Sequence, residues 1–402
     1  MNACGVIVEY NPFHNGHAYH LQEAKRVSDA DVMVAVMSGN FLQRGEPAII
    51  SKWARTRAAL ASGVDIVIEL PYAFAVQKAD RFAYGAVSLL DALYVDSFCF
   101  GSEHGEIEPF VETASFLEKH QNEINAELKK ALKEGVSFPT AASNAYETFF
   151  GNTLPLDIHA PNNILGLSYV RAAQQRHTAM KPLTIKRTGS NYHDEQFSGN
   201  IASATSVRKQ IFEHHADIDD LVHVLPQATV QQLASYRHTY GMLHNWEAYF
   251  QFLKYRLLTM SHSELSEIAE VEEGLEYRLK DAIKSAKTFH EFIQRVKTKR
   301  YTWTRLQRLC INVLTHTTKG TLEAVGTSPA YIRLLGMNEL GQAYLRRVKK
   351  ELPLPLVAKL SAYSHPQLDL DIRAADTYAM CLQEPFRTDA IQREFSNPPV
   401  RI

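Results

Sequence analysis

The sequence predicts an α/β protein, with a doubly wound parallel sheet in the first 205 residues and a mostly helical C-terminal region after it. Three observations carry that expectation. Short apolar runs, each rich in β-branched or aromatic residues, alternate with longer stretches of helical periodicity up to about residue 190. Polar and glycine residues gather just after those runs, at what would be the carboxyl end of a parallel sheet. Beyond Thr205 the strand-like runs fade while the helical periodicity continues.

The first run, Ala3–Val8, leads into Glu9-Tyr10-Asn11-Pro12-Phe13-His14-Asn15-Gly16-His17, and a helix is expected over 17–27. The second run, 32–37, is followed by Ser38-Gly39-Asn40-Phe41-Leu42-Gln43-Arg44-Gly45 and a helix over 52–62. The third, 65–70, ends on Glu69-Leu70-Pro71 ahead of a helix over 79–93. The fourth, 97–100, opens onto Gly101-Ser102-Glu103-His104, with helices expected over 107–133 and 162–175. The fifth, 183–186, gives way to Arg187-Thr188-Gly189-Ser190. Helices are then expected over 206–214, 246–260 and 263–284, and short strands near 330–334 and 355–357. These patterns divide the chain into an α/β domain over 1–205, a helical domain over 206–320 and a mixed α/β extension over 321–402.

Composition narrows the function classes. At 402 residues with 45% hydrophobic and 22% charged residues, the chain is long enough for a sizeable core and two or three domains. Its formal net charge of -1 offers no global attraction to nucleic acid, so an RNA surface has to be a local patch. Cys4, Cys99, Cys310 and Cys381 are scattered without a C-x-x-C pair, which argues against a zinc ribbon and reads as reduced thiols. No apolar run reaches the roughly 20 residues of a membrane span, and no basic leader precedes the first apolar run. The expectation is a soluble, cytoplasmic protein with no membrane association and no stable protein partner.

The sharpest chemical signal is the first loop. Pro12 fixes a turn, Gly16 permits close approach of backbone to ligand, and His17 stands at a helix start, where free N–H groups attract phosphate. His14 and His17, three apart, can face one crevice and stabilise charge on transferring phosphates. The spacing lacks the carboxylate of a zincin, so no metal-ligating set is expected, and there is no P-loop.

His14-Asn15-Gly16-His17 resembles the H-x-G-H signature of the nucleotidyltransferase superfamily. Ile201-Ala202-Ser203-Ala204-Thr205-Ser206-Val207-Arg208 is similar to its later I-S-S-T-x-x-R element, matching at Ser203, Thr205 and Arg208 with Ala204 in place of a serine. Further segments resemble the bacterial tRNA(Met) cytidine acetate ligases: Gly5 to His17, Met37-Ser38-Gly39-Asn40-Phe41, Gln43-Arg44-Gly45-Glu46-Pro47, Val67-Ile68-Glu69-Leu70-Pro71, Phe100-Gly101-Ser102-Glu103, Pro161-Asn162-Asn163-Ile164-Leu165-Gly166, Ile185-Lys186-Arg187, and Lys299-Arg300-Tyr301-Thr302 with Thr304-Arg305.

The resemblance implies a nucleotidyltransferase-like, Rossmann-type domain that makes acetyl-adenylate from ATP and acetate, then acetylates the wobble cytidine of elongator tRNA(Met). It implies ATP contacts along Ile7, Val8, Glu9, Tyr10, Asn11, Pro12, Phe13, His14, Asn15, Gly16, His17 and His20, and at Gly101, Asn162, Arg187 and Thr188. His14 and His17 are the expected catalytic pair, and Arg187 and Arg208 are natural phosphate partners. Mg²⁺ is expected with the triphosphate.

The RNA side is expected at a basic stretch with interleaved aromatics: Lys297, Lys299, Arg300, Tyr301, Arg305 and Arg308, with Trp303. Arg346, Arg347, Lys349 and Lys350 form a weaker patch. Two other readings fit the residues: a small-molecule adenylyltransferase, disfavoured by the long extra half, and a non-catalytic RNA-binding protein, disfavoured by the intact His14 and His17.

Overall fold

The structure, a computed structural model, describes residues 1–134, 136, 140, 141, 144, 145, 148, 155–158, 160–187, 202–272 and 274–402. An eight-stranded sheet runs through it in the order β5-β4-β1-β2-β3-β6-β7, with β8 on β6. The first five strands are Ala3–Val8 (β1), Val32–Ser38 (β2), Ile66–Leu70 (β3), Ser97–Ser102 (β4) and Lys181–Lys186 (β5), and all pair in parallel. β6 (Ile332–Met337) joins antiparallel to β3, and it carries β7 (Leu356–Val357) and β8 (Val400–Arg401).

The alternation of strand side chains explains why both faces are covered. In β2, Val32, Val34 and Val36 point to one face and pack with Phe82, Ala86 and Leu90 of the helix Ala79–Ala92. Met33, Ala35 and Met37 point to the other and pack with Leu21 and Ala24 of the helix Asn15–Ser28. The first apolar layer continues without a break into the C-terminal helices, through Phe250, Phe292 and Leu309.

After β1 the chain winds to β2 and β3, then crosses back to β4 on the other side of β1. The winding reverses between β1 and β4, and at that reversal the loops at the strand carboxyl ends part to leave a crevice.

Two expected helices are divided. The stretch 107–133 forms Glu108–Lys119 and Gln121–Lys133, because His120 leaves helical geometry (φ -108, ψ 22) and packs its ring on Phe116. The stretch 263–284 forms His262–Glu267 and Leu275–Ser285. Between these two, Ile268 bridges to Thr318, and Glu270 and Gly274 adopt left-handed backbone (φ 68 and 80). Among the described residues no helix is long and apolar enough to cross a membrane.

A buried ionic cluster fastens the last helix to the sheet. Lys52 Nζ donates to both oxygens of Glu69 at 2.8 Å and to Glu394 Oε1 at 2.6 Å. Arg333 on β6 reaches Glu69 at 3.4 Å and Glu394 at 3.1 Å. All four side chains are at most 5% exposed. Two cations face two carboxylates, so removing one leaves a desolvated charge behind. Lys52→Met should therefore destabilise the fold by about 3 kcal/mol, read from urea unfolding at pH 7; a change below about 1 kcal/mol would show that the cluster is strain-free without its lysine.

Candidate active site

The crevice at the winding reversal is a cleft of about 290 Å³, lined by Ile7 and Val8 of β1 and by Glu9, Tyr10 and Asn11 just after it. His14, Gly16, His17 and His20 line it from the following turn and helix, Gly101 from β4 and Arg187 from the end of β5. Asn162, Ser203, Thr205 and Arg208 complete the set that the sequence singled out. Segments almost two hundred residues apart thus meet in one cavity. Pro12 and Phe13 are buried beneath the loop, with Phe13 packed on Tyr10 at 4.5 Å. Asn15 turns away, its N–H and side chain donating to the carbonyls of Val224 and His223. Thr188 lies outside the described residues.

The two histidines are held by the helix start itself. His14 is the N-cap of Asn15–Ser28, and its Nδ1 accepts the Gly16 N–H at 3.1 Å. His17 Nδ1 accepts the His14 N–H at 3.3 Å, closing a reciprocal capping box in which imidazoles take the place of the usual Ser and Glu. The rings stack at 3.7 Å between centroids, and Tyr10 packs edge-on to His17 at 5.0 Å.

With Nδ1 accepting in both rings, the neutral tautomer carries its proton on Nε2. Burial, helped by the positive charges of Arg187 and Arg208, pushes His14 down to about 3. Burial together with His14 and Arg187 also holds His17 well below its ordinary value. Each ring is therefore a neutral N–H donor at physiological pH, beside free helix N–H groups. His20 is lowered to about 4 by burial and Arg187, and among the described residues its Nε2 has no partner; the same holds for Asn11 Nδ2. Unsatisfied polar atoms beside a cavity are what a polar ligand would complete.

The arginine side is equally specific. Arg208, on the helix Ala204–Phe212, donates to the Asn11 carbonyl and to Glu46, both at 2.8 Å. Ser203 caps that helix, its hydroxyl accepting the Ser206 N–H at 3.0 Å. Gly101 lies between Arg187 and His20; a Cβ there would stand 3.4 and 3.6 Å from their carbons, in ordinary van der Waals contact with both. Asn162 is oriented by Glu103, whose carboxylate accepts its amide at 2.6 Å and the N–H of Asn163 at 2.8 Å. Glu103 thereby caps the helix Pro161–Gln175 from a different element.

Several residues of the cleft had no role assigned from sequence. Gln43, Arg44 and Glu46 line it from the loop after β2, and Phe82, Leu165 and Tyr169 from two helices. The loop could have been found from its place after the strand beside β1. The helical residues carried no signal, because apolar positions on a helix face read as core. Glu69, at the end of β3, stands in the ionic cluster with Lys52 and Arg333.

The basic stretch is divided by its surroundings. Lys297 and Lys299 are exposed and, with Gln294, Thr298, Thr302 and Trp303, line an open groove of about 550 Å³. Tyr301 is buried, with Arg305 over its ring at 4.9 Å, and Arg300 is half-buried. Arg305 pairs with Glu272 at 2.9 Å, and Arg308, only 7% exposed, pairs with Glu270 at 2.8 Å.

The model of the family described as HIGH Nucleotidyl Transferase matches residues 1–393. The chain is similar to the tRNA(Met) cytidine acetate ligase of Geobacillus sp. (strain WCH70), at 52% identity over 403 residues covering all of both chains. It is 48% identical to the tRNA(Met) cytidine acetate ligase of Bacillus subtilis (strain 168), across all of this chain and 97% of that one. Its fold is similar to crystal structures of Thermotoga maritima TmcAL, at 34% identity over both full chains, with a TM-score of 0.92 to the apo form and 0.90 to the form bound with alpha-thio ATP.

The buried histidines link stability to pH. His14 and His244, 6% and 1% exposed, bind a proton near 6.5 in an unfolded chain and only near 3 in the fold. The stability they contribute is complete above pH 6.5 and is lost as pH falls from there toward 3, by up to about 1.4 kcal/mol per pH unit for each ring. Urea unfolding should show the loss between pH 7 and pH 5, and His244→Gln should make it smaller by about 2 kcal/mol. An unaltered pH dependence in that variant would mean that His244 takes up a proton within the fold.

Proposed function

The chain belongs to the tRNA(Met) cytidine acetate ligases, within the HIGH nucleotidyl transferases, and we propose that it joins acetate to a cytidine of tRNA(Met) at the expense of ATP. An acetate oxygen attacks the α-phosphorus of ATP, pyrophosphate leaves, and acetyl-adenylate forms. The exocyclic amine of the wobble cytidine in elongator tRNA(Met) then attacks the acetyl carbon, and AMP leaves N4-acetylcytidine as product.

The observation that carries this reading is the pair of neutral histidines at a helix start, with Nδ1 of each tied to backbone. Attack at phosphorus needs alignment and stabilisation of charge rather than a protein nucleophile. The Nε2–H donors of His14 and His17, with Arg187 and Arg208, face the position where that charge grows. Mg²⁺, when bound with the triphosphate, would supply further neutralisation of its charge. Among the described residues no three His, Cys, Asp or Glu side chains gather to cage an ion. The donor set therefore fits an ion held largely by phosphate oxygens and water, with at most one or two cleft carboxylates.

The RNA contact falls to the groove of Lys297 and Lys299, whose ammonium groups are exposed to neutralise phosphates, beside the half-buried Trp303 as a stacking surface. Tyr301, Arg305 and Arg308 support this segment from behind through Glu270 and Glu272, and Arg300 flanks it.

His14→Ala and His17→Ala should each slow acetate-dependent ATP–pyrophosphate exchange by about 100-fold or more while leaving tRNA affinity unchanged; exchange at the wild-type rate would remove that histidine from catalysis. Lys297→Glu combined with Lys299→Glu should weaken tRNA binding about tenfold or more at low salt and flatten its salt dependence, with exchange intact. Filter binding that shows equal affinity across salt concentrations would move the RNA surface elsewhere.

A further inference from the structure

We propose that Glu103 is a positioning residue: it fixes the carboxamide of Asn162 with its oxygen toward the cleft, so that the nucleoside half of ATP meets an acceptor there and is selected for an N–H or O–H donor. This deepens the acetate-ligase reading above and rests on it only for ATP as the occupant of the cleft.

Asn162 lines the cleft and Glu103 stands behind it. Glu103 Oε1 accepts the side-chain N–H of Asn162 at 2.6 Å and its backbone N–H at 3.3 Å, and Oε2 accepts the Asn163 backbone N–H at 2.8 Å. A carboxylate only accepts, so the end of the amide that meets it has to be the NH2 group. The Asn162 oxygen is left on the other side, and among the described residues no donor reaches it.

The carboxylate is itself held. The two backbone N–H groups belong to the first turn of the helix Pro161–Gln175, where no helical carbonyl is available and Ala160 offers no side-chain cap. In return Asn163, 1% exposed, accepts the N–H groups of Glu103 and His104 at 3.0 and 3.2 Å. The end of β4 and the start of the helix thus hold each other, and Asn162 takes the polarity that Glu103 dictates.

The place in the cleft is the nucleoside's. Leu165 and Tyr169 follow Asn162 by three and seven residues, on one face of the helix, and line the same cleft with Phe100. That apolar surface suits a flat base and the ribose beside it, while phosphates go to the histidines, Arg187 and Arg208. Adenosine carries two kinds of donor, the exocyclic amine of the base and the ribose hydroxyls, and both offer the same chemistry to a carbonyl oxygen.

Glu103→Gln should reverse the polarity. The new amide has one oxygen for two sets of donors. The Asn163 N–H is fixed in the backbone and takes that oxygen, because it would otherwise go unpaired. The new NH2 group then faces the Asn162 side chain, which turns over and shows its own NH2 to the cleft. Adding Asn162→Asp restores the acceptor, since a carboxylate meets that NH2 with one oxygen and presents the other to the nucleoside.

Calorimetry without acetate reads the affinity for ATP, ITP, 2′-deoxyATP and 3′-deoxyATP. In the wild type the analogue lacking the donor should bind about tenfold more weakly than ATP: ITP if the donor is the base amine, a deoxynucleotide if it is a ribose hydroxyl. Glu103→Gln should bind ATP about tenfold more weakly and lose that discrimination. Glu103→Gln with Asn162→Asp should regain both to within about threefold. Glu103 also favours the charge of Arg187, but loss of that influence weakens every triphosphate alike and leaves the ratios unchanged. Equal weakening of all four nucleotides by Glu103→Gln would reduce Glu103 to a structural role and overturn the proposal. Unchanged ATP affinity, a wild type that discriminates against none of the analogues, or a double variant no better than the single one would overturn it too. A wild type that binds ATP with this selectivity yet shows no acetate-dependent ATP–pyrophosphate exchange would overturn the proposed function alone.

Discussion

The Arg55 guanidinium lies beneath the cleft with its N–H groups on the carbonyl oxygens of Glu9, Ser38, Gly39 and Ile50. It is 1% exposed, and burial lowers its pKa only to about 10, so it stays charged wherever the protein works. A buried guanidinium has to find acceptors for its donors, and here they are the Ile50 carbonyl and the backbone carbonyls at the ends of β1 and β2. Parallel strands part at their carboxyl ends, and nothing in the sheet ladder holds the loops beyond. Arg55 does so, fixing the start of the histidine loop against the loop that carries Gln43, Arg44 and Glu46.

The second loop is gripped from its far side by the helical half of the chain. Gly45 has left-handed backbone (φ 73), and a Cβ there would meet the Arg308 backbone nitrogen at 2.2 Å, so only glycine lets the loop lie on the helix Trp303–Leu314. Trp246 Nε1 donates to the Gly45 carbonyl at 2.9 Å. Asn11, in the first loop, accepts the Ile49 N–H at 2.7 Å and joins the two loops directly. The nucleotide-sized cleft is therefore built on the sheet but clamped by residues two to three hundred positions away. This gives the long C-terminal half a structural part in the site besides any contact with RNA.

The same separation explains which features were legible. The histidine loop could be read because its chemistry is local: the cap, the glycine and both imidazoles lie within four residues. The ends of β4 and β5 could be read because a strand announces where its carboxyl end falls. Cations, by contrast, are visible in a sequence while their partners are not. Arg305 and Arg308 sit in a run of positive charge, yet they meet Glu270 and Glu272, more than thirty residues earlier, because Glu270 takes left-handed backbone and turns back toward them. Lys52, Glu69, Arg333 and Glu394 show no pattern at all along the chain, since four charges from four elements become one cluster only when the elements pack.

The sequence by itself determined the alternation of strands and helices, the parallel sheet and the loop that presents His14 and His17, because each follows from side-chain periodicity or from bonding within one turn. Only the tertiary structure decided that β6 would extend the sheet antiparallel to β3, that Arg44, Glu46 and Tyr169 would face the cleft, and which cations remain exposed. Those outcomes depend on desolvation: a charge or polar group taken from water has to be matched by whatever folding brings beside it, and that neighbour is set by packing across the whole chain.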